Sequence, residues 1–221
     1  MATSITDSTP VASMPAVSSR DRILLSAKHL FARNGYENTS TVAIAREAGT
    51  SESQLMKHFG SKQGLLAAIF DRGWAGVIER VQTLQGGRSP SERLLAMLEA
   101  MIGEVEGDLE LKELVALEAR RVRKDNRDVL MSRGYQQFGE LLHTTLSEMR
   151  NQGQLRGDLN LDAVRSAVMG MTEAMLRDQV VAKRSEVRAD YNSADLRKVL
   201  GILIPGLGDE AVQPLKAVNE R

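Results

Sequence analysis

The residues whose chemistry stands out lie between Thr41 and Phe59. Two runs of about eight residues, Thr41 to Ala48 and Glu52 to Phe59, are joined by Gly49-Thr50-Ser51. Two short helices linked by a short turn containing glycine make a helix-turn-helix. In such a unit the second helix enters the major groove with its N-terminal side chains near base edges. The second run carries groups suited to that task. Gln54 can pair with adenine through both ends of its amide, and Glu52 can accept from cytosine. Glu52 equally suits a helix N-terminus, where the dipole favours a carboxylate. Lys57 is a good partner for a phosphate. Ile44, Ala45, Ala48 and Leu55 supply the apolar contacts that lock the two helices, and small Ala45 permits a close crossing.

Other chemistry is thin. The chain has no cysteine, which removes disulfides, thiolate metal sites and cysteine nucleophiles. Its three histidines share no spacing that would make a metal site. His29 and His143 read as partly buried or surface residues of amphipathic helices. There is no paired carboxylate–histidine motif, no glycine-rich phosphate loop and no nucleophile signature. Neither an enzyme nor a bound cofactor or metal is expected.

The formal net charge of the 221 residues is zero, so a DNA-binding surface must concentrate its cations locally. From Ser18 to Gly64 there are seven Lys and Arg against four Asp and Glu, a local excess of three. No run of about eighteen apolar residues exists, so no transmembrane helix is expected. The chain reads as a cytoplasmic protein. Residues 1–18, rich in Ser, Thr, Ala and Pro, read as a disordered tail and not as a signal peptide. Residues 209–221 read as a weakly ordered tail.

The elements that must position the Thr41–Phe59 unit are helical, because apolar spacings of three and four dominate the chain. A first helix from Ser19 to Asn34 buries Ile23, Ala27, Leu30 and Phe31, and Gly35 suits its C-terminal cap. The Thr39-Ser40-Thr41 cluster offers a hydroxyl N-cap to the next helix, and Ser51 caps the reading helix. A fourth helix spans Lys62 to about Val81. After a break at Gly86-Gly87-Arg88-Ser89-Pro90 come helices carrying Leu94 to Val105, Leu111 to Val122, Arg127 to Asn151, Leu161 to Lys183 and Asp195 to Ile204, the last stopped by Pro205-Gly206. Arg120-Arg121-Val122-Arg123-Lys124 reads as the solvated end of a helix. The fold is all-α: an N-terminal three-helix helix-turn-helix domain, residues 19–64, followed by a larger helical domain, residues 65–208.

Residues Arg20 to Phe70 resemble the DNA-binding domain of the TetR family of repressors. The resemblance is carried by Ile23, Ala27, Phe31, Gly35-Tyr36, Thr39-Ser40, Ile44-Ala45, Ala48-Gly49, Ser51, Leu55, His58-Phe59, Lys62 and Leu65-Leu66. It implies roles by position. Thr39, Ser40 and Lys62 would hold phosphates. Gln54, Lys57 and His58 would face the groove, and Thr50, Ser51, Glu52 and Ser53 would stand at the N-terminal end of the reading helix. Two positions depart from the family. Ser53 replaces a small residue, often Gly. Met56 replaces a tyrosine that typically gives its hydroxyl to a phosphate, a contact that Lys57 could take over.

The C-terminal half resembles the family only in layout, which implies a ligand-binding and dimerisation domain. Methionines there, grouped with other apolar residues, would suit a pocket between helices. The expected lining is Trp74, Leu94, Leu98, Met101, Phe138, Leu142, Met171 and Met175. The last two helices are apolar on more than one side, which a two-fold four-helix interface would absorb. The expected interface residues are Val164, Ala167, Gly170, Ala174, Leu196, Val199, Leu200 and Leu203. The partners so implied are a double-stranded, pseudo-palindromic operator, a second copy of the chain, and a small apolar or amphipathic ligand that releases the DNA. The competing reading is a helical adaptor or ligand-binding protein that never meets DNA; steep loss of duplex binding with salt distinguishes the two.

Overall fold

The computed structural model describes residues 18–83, 86–118, 122–123, 126–129, 132–185 and 189–208. The expected terminal tails lie outside them, except Ser18. Among the described residues there are nine α-helices and one short antiparallel ribbon: α1 (Ser19–Asn34), α2 (Thr41–Glu47), α3 (Glu52–Phe59), α4 (Lys62–Thr83), α5 (Pro90–Gly107), α6 (Leu109–Glu118), β1 (Val122–Arg123), β2 (Asn126–Val129), α7 (Arg133–Asn151), α8 (Leu161–Ala182) and α9 (Ser193–Gly206). None of the described helices is long and apolar enough to cross a membrane.

Most helices start at a side-chain cap that satisfies a backbone N–H with no intrahelical partner. Ser18 caps α1, Ser40 caps α2 and Ser51 caps α3, each accepting from the N–H three residues on. Ser89 with Glu92, and Asn192 with Asp195, form reciprocal capping boxes on α5 and α9. Between α2 and α3 the backbone turns at Gly49, whose φ of 62° favours glycine.

Three expectations about element boundaries are corrected. The sixth helix ends at Glu118, and Val122 pairs with Val129 in the ribbon. The solvated helix end expected at Arg120 to Lys124 is therefore absent at Val122-Arg123; the rest of that run lies outside the described residues. The seventh helix starts at Arg133 rather than Arg127, because Ser132 caps it by accepting from the Tyr135 N–H. In α9 the helix continues through Pro205 to Gly206. A proline in the last turn forfeits one backbone bond and need not end the helix before it.

Two hydrophobic cores divide the molecule. The first joins α1, α2, α3 and the front of α4 (Leu65, Leu66, Ile69, Phe70). Leu111 and Leu114 of α6 complete it from outside. The second joins the back of α4 (Val77, Val81) with α5, α7, α8 and α9. The expected domain boundary after Gly64 thus falls inside α4, and the packing changes over later, between Phe70 and Val77. Trp74 lies at the changeover and packs against both cores.

Charges reinforce the docking of α6 on α1. Lys28 pairs with Asp108, His29 Nδ1 lies 2.8 Å from Glu110, and Arg72 of α4 reaches Asp21 at 3.0 Å. Asp108 also accepts from the Leu111 N–H, so it starts α6. Burial pushes the Asp108 carboxyl up, but the hydrogen bonds from Lys28 and Leu111 outweigh it and hold the group below the usual carboxylate range.

The second core is closed by a tight approach of α7 to α4. Gly134 donates its N–H to Asp71 at 3.0 Å, and Trp74 packs against Tyr135 and Phe138, with ring centroids 5.7 and 4.9 Å away. A Cβ on Gly134 would stand 2.2 Å from the Trp74 Cβ. Gly134→Ala therefore tests whether this contact is tight. Alanine favours a helix by about 1 kcal/mol over glycine, but a Cβ held by backbone on both sides cannot move aside. The variant is expected to lose about 1–3 kcal/mol net. The chain's single tryptophan is Trp74, so urea unfolding followed by its fluorescence reads the result; a variant as stable as wild type would refute the tight contact.

Candidate nucleic-acid interface

The recognition unit is α3 and what holds it. Of its eight residues only Leu55 is fully buried, locked against the first core. Glu52, Ser53, Gln54, Met56, Lys57 and His58 are all exposed. The helix is short, so its own hydrogen bonds cannot fix its angle; contacts at both ends do. At the front, Ser51 caps it, and the Thr50 N–H donates to the Ala45 carbonyl at 3.0 Å. At the back, Arg20 lies 5.3 Å over the Phe59 ring, and His58 Nε2 is 3.2 Å from the Ser19 hydroxyl. Arg22 Nε donates to the Ala48 carbonyl at 3.1 Å, tying α1 to the end of α2.

Two threonines restrain the long polar side chains of α3. The Thr41 hydroxyl donates to the Glu52 carboxylate, across the α2–α3 angle. The Thr50 hydroxyl donates to Gln54 Oε1 at 3.0 Å. The first needs the turn at Gly49 to bring its partners together, and the second spans four residues at the start of α3. Sequence reasoning also passed over Val42, which is 58% exposed and joins Met56 as apolar surface on the unit.

The expected DNA-facing residues do not all behave alike. Ser40, Ser51, Glu52, Ser53, Gln54, Lys57 and His58 are exposed, and Thr50 is half-buried. Lys62 is held at the surface, its ammonium 4.4 Å over the Tyr36 ring and donating to the Glu37 carbonyl at 3.3 Å. Thr39 is a correction. It is 2% exposed, and its hydroxyl faces inward, donating to the Gly35 carbonyl at 2.8 Å with the Leu30 carbonyl at 3.2 Å. A hydroxyl spent on closing the α1–α2 turn cannot reach a phosphate.

The C-terminal half shows a narrow apolar pocket of about 40 Å³ between α4, α5, α6 and α8. Of the expected lining residues, Trp74 and Met101 border it, with Phe70, Val105, Leu111 and Leu176 beside them. Two carboxylates, Glu104 and Glu173, also face it, and Arg80 pairs with Glu104 at 3.0 Å. The remaining expected lining is corrected. Leu94, Leu98, Phe138 and Leu142 have no exposed surface and fill the second core. Met171 and Met175 pack on that core without forming the pocket wall. Helical spacing marks a buried face but not whether a neighbouring helix already fills the space before it.

The expected interface residues divide in the same way. Val164, Leu196 and Leu200 are 6%, 0% and 1% exposed and belong to the protomer's own core, so they are not available to a partner. Ala167, Gly170, Ala174, Val199 and Leu203 are exposed. Ile202, which sequence reasoning omitted, is 73% exposed. The apolar surplus of α9 is therefore two stripes: Leu196, Leu200 and Ile204 inward, Val199, Ile202 and Leu203 outward.

Comparison with known proteins supports this geometry. Residues 23–69 match the family model described as bacterial regulatory proteins, tetR family. The fatty acid metabolism regulator protein of Bacillus subtilis is 23% identical over 190 residues, covering 84% of this chain and 94% of the relative. The fatty acid degradation regulator FadR of Bacillus halodurans superposes with a TM-score of 0.74 at 19% identity, over 89% of this chain and 97% of that one. FadR from Bacillus subtilis in complex with stearoyl-CoA superposes with a TM-score of 0.70 at 20% identity, over 83% and 96%.

The inward Thr39 hydroxyl yields a prediction. Thr39→Val keeps the shape and leaves a buried carbonyl short of a partner, which costs about 1–3 kcal/mol. Its midpoint of urea unfolding is expected to fall while the folded protein keeps wild-type affinity for duplex DNA. Weaker binding across all sequences at unchanged stability would restore Thr39 as a phosphate ligand.

Proposed function

The chain belongs to the tetR family of bacterial regulatory proteins, and we propose that it acts as a dimeric transcriptional repressor released from its operator by a small molecule. The observation that carries the DNA reading is α3: a capped helix, braced at both ends, with Leu55 inside and Ser53, Gln54 and Lys57 outside. Such a helix fits a major groove with its N-terminal residues toward base edges. Ser40, Ser51, Lys57, His58 and Lys62 are the proposed phosphate and groove contacts, and Gln54 with Ser53 the proposed base contacts. A protein that reads duplex DNA works beside it, in the cytoplasm of a bacterium.

The second copy is proposed to cover the exposed stripe of α9, Val199, Ile202 and Leu203, together with the small residues Ala167, Gly170 and Ala174 of α8. Small residues let helices of two protomers approach closely. A dimer offers two reading helices, so the operator should be pseudo-palindromic with half-sites near a multiple of the DNA turn apart.

The proposed ligand site is the pocket beside Trp74. Its hydrocarbon wall suits the apolar chain of an amphipathic molecule, as the stearoyl-CoA complex of the Bacillus subtilis relative suggests. Leu111 faces this pocket and is also part of the first core. A ligand that presses on α6 therefore acts on the docking of the reading unit. It favours release only if it binds the DNA-incompetent arrangement more tightly.

Selection of bound sequences from random duplex DNA tests the reading. Lys57→Ala is expected to weaken binding across all sequences and reduce the salt slope by about one. Gln54→Ala is expected to cost about 1–3 kcal/mol and relax preference at one position of each half-site. Wild-type affinity in both would remove α3 from the groove. For the dimer, Ile202→Glu should give monomers in sedimentation and lose operator affinity, and a stable dimer in that variant would displace the proposed interface.

A further inference from the structure

Gln54 is held in a particular sense by Thr50. A glutamine that reads adenine uses both ends of its amide: Oε1 accepts from the N6 amino group and the NH₂ donates to N7. Here Oε1 is turned back along the helix to accept from the Thr50 hydroxyl at 3.0 Å. The end of the amide left to project is the NH₂, which has two donors and no acceptor. Thr50 is itself fixed, since its N–H donates to the Ala45 carbonyl at 3.0 Å, so the tether is anchored on the α2–α3 turn.

The neighbouring groups push the same way. Glu52 could have read cytosine, but its carboxylate receives the Thr41 hydroxyl and braces α2 against α3. Lys57 stands one turn beyond Gln54, exposed, and can only donate. Met56 is 41% exposed and Val42 58%, and both are apolar. Beside Gln54 the exposed edge therefore carries a donor in Lys57 and apolar surface in Met56 and Val42, while one oxygen of Glu52 is engaged by Thr41. In the major groove guanine offers two acceptors, O6 and N7. Thymine offers one and a methyl group. Adenine and cytosine each present an amino donor.

We propose that Thr50 is a positioning residue that sets Gln54 as a donor, so that the base read by Gln54 is guanine and not adenine. Two projecting N–H groups match the two acceptors of guanine better than the single acceptor of thymine. An adenine opposite Gln54 offers that NH₂ a single acceptor, N7, and its amino group can be met only by the second lone pair of an Oε1 already held by Thr50. The proposal rests on the reading of α3 as the groove helix.

The test is selection of bound sequences from random duplex DNA with the full-length protein and three variants. The position read by Gln54 is the one whose preference flattens in Gln54→Ala. In wild type that position should be guanine, favoured over adenine by about fivefold, the effect of one net hydrogen bond. Thr50→Val removes the hydroxyl at nearly constant shape and should move the preference toward adenine. Thr50→Ser keeps the hydroxyl and should keep guanine. Adenine at that position in wild type, or an unchanged guanine preference in Thr50→Val, overturns the proposal while leaving α3 in the groove. If Thr50→Val does not fold, the wild-type base at the Gln54-dependent position decides alone. No enriched site for wild type would remove the groove reading and this proposal together.

Discussion

The insertion of Leu111 and Leu114 into a core they do not belong to by chain order is the contact on which the rest depends. Without them the first three helices bury a small core around Ile23, Phe31, Ile44 and Leu55, and domains that small are marginal by surface-to-volume scaling alone. With them, the reading unit is stabilised by the larger half of the molecule and its orientation is fixed by it. The Lys28–Asp108 and His29–Glu110 pairs rim this contact. The exposed His29–Glu110 pair contributes little energy, the part-buried Lys28–Asp108 pair helps set the register, and the leucines supply the burial.

This arrangement explains why the reading unit was legible in the sequence and the pocket was not. Helix starts and turns are written locally: Ser18, Ser40 and Ser51 at N-caps, Gly49 at the turn, and the bounds of α3 agree residue for residue with the expectation. The pocket is a difference between what helices offer and what their neighbours fill. Leu94, Leu98, Phe138 and Leu142 have the same spacing and chemistry as true lining residues, but α5 and α7 close on one another and leave no space before them. Leu111, which does face the pocket, carries no signal of it, because its partners Phe70 and Trp74 lie some forty residues away.

The same limit governs polar residues. Thr39, Ser40 and Thr41 are adjacent and chemically alike, yet the first closes a turn inside the protein, the second caps α2, and the third braces Glu52. Composition marks such a cluster as capable of hydrogen bonding. Only the angle at which α2 leaves the α1 turn assigns each hydroxyl its acceptor. The ribbon that pairs Val122 with Val129 is a milder case: Ser132 marks a helix start locally, but apolar spacing alone does not separate a short strand before it from one more helical turn.

The near-neutral charge of the chain bears on how such a unit would bind. Non-specific attraction to DNA grows with the number of phosphates neutralised, and a local excess of three cations in a chain of net zero charge supplies little of it. A single α3 would therefore hold DNA weakly. Two of them, fixed at one spacing by an outer stripe on α9, would add their contacts without a further loss of free motion. In such a design affinity resides in the spacing, and a ligand has no need to touch α3. On that proposal, a shift of α6 passed to the reading unit through Leu111 of each protomer would change the distance between the two reading helices, and that distance is what an operator would measure.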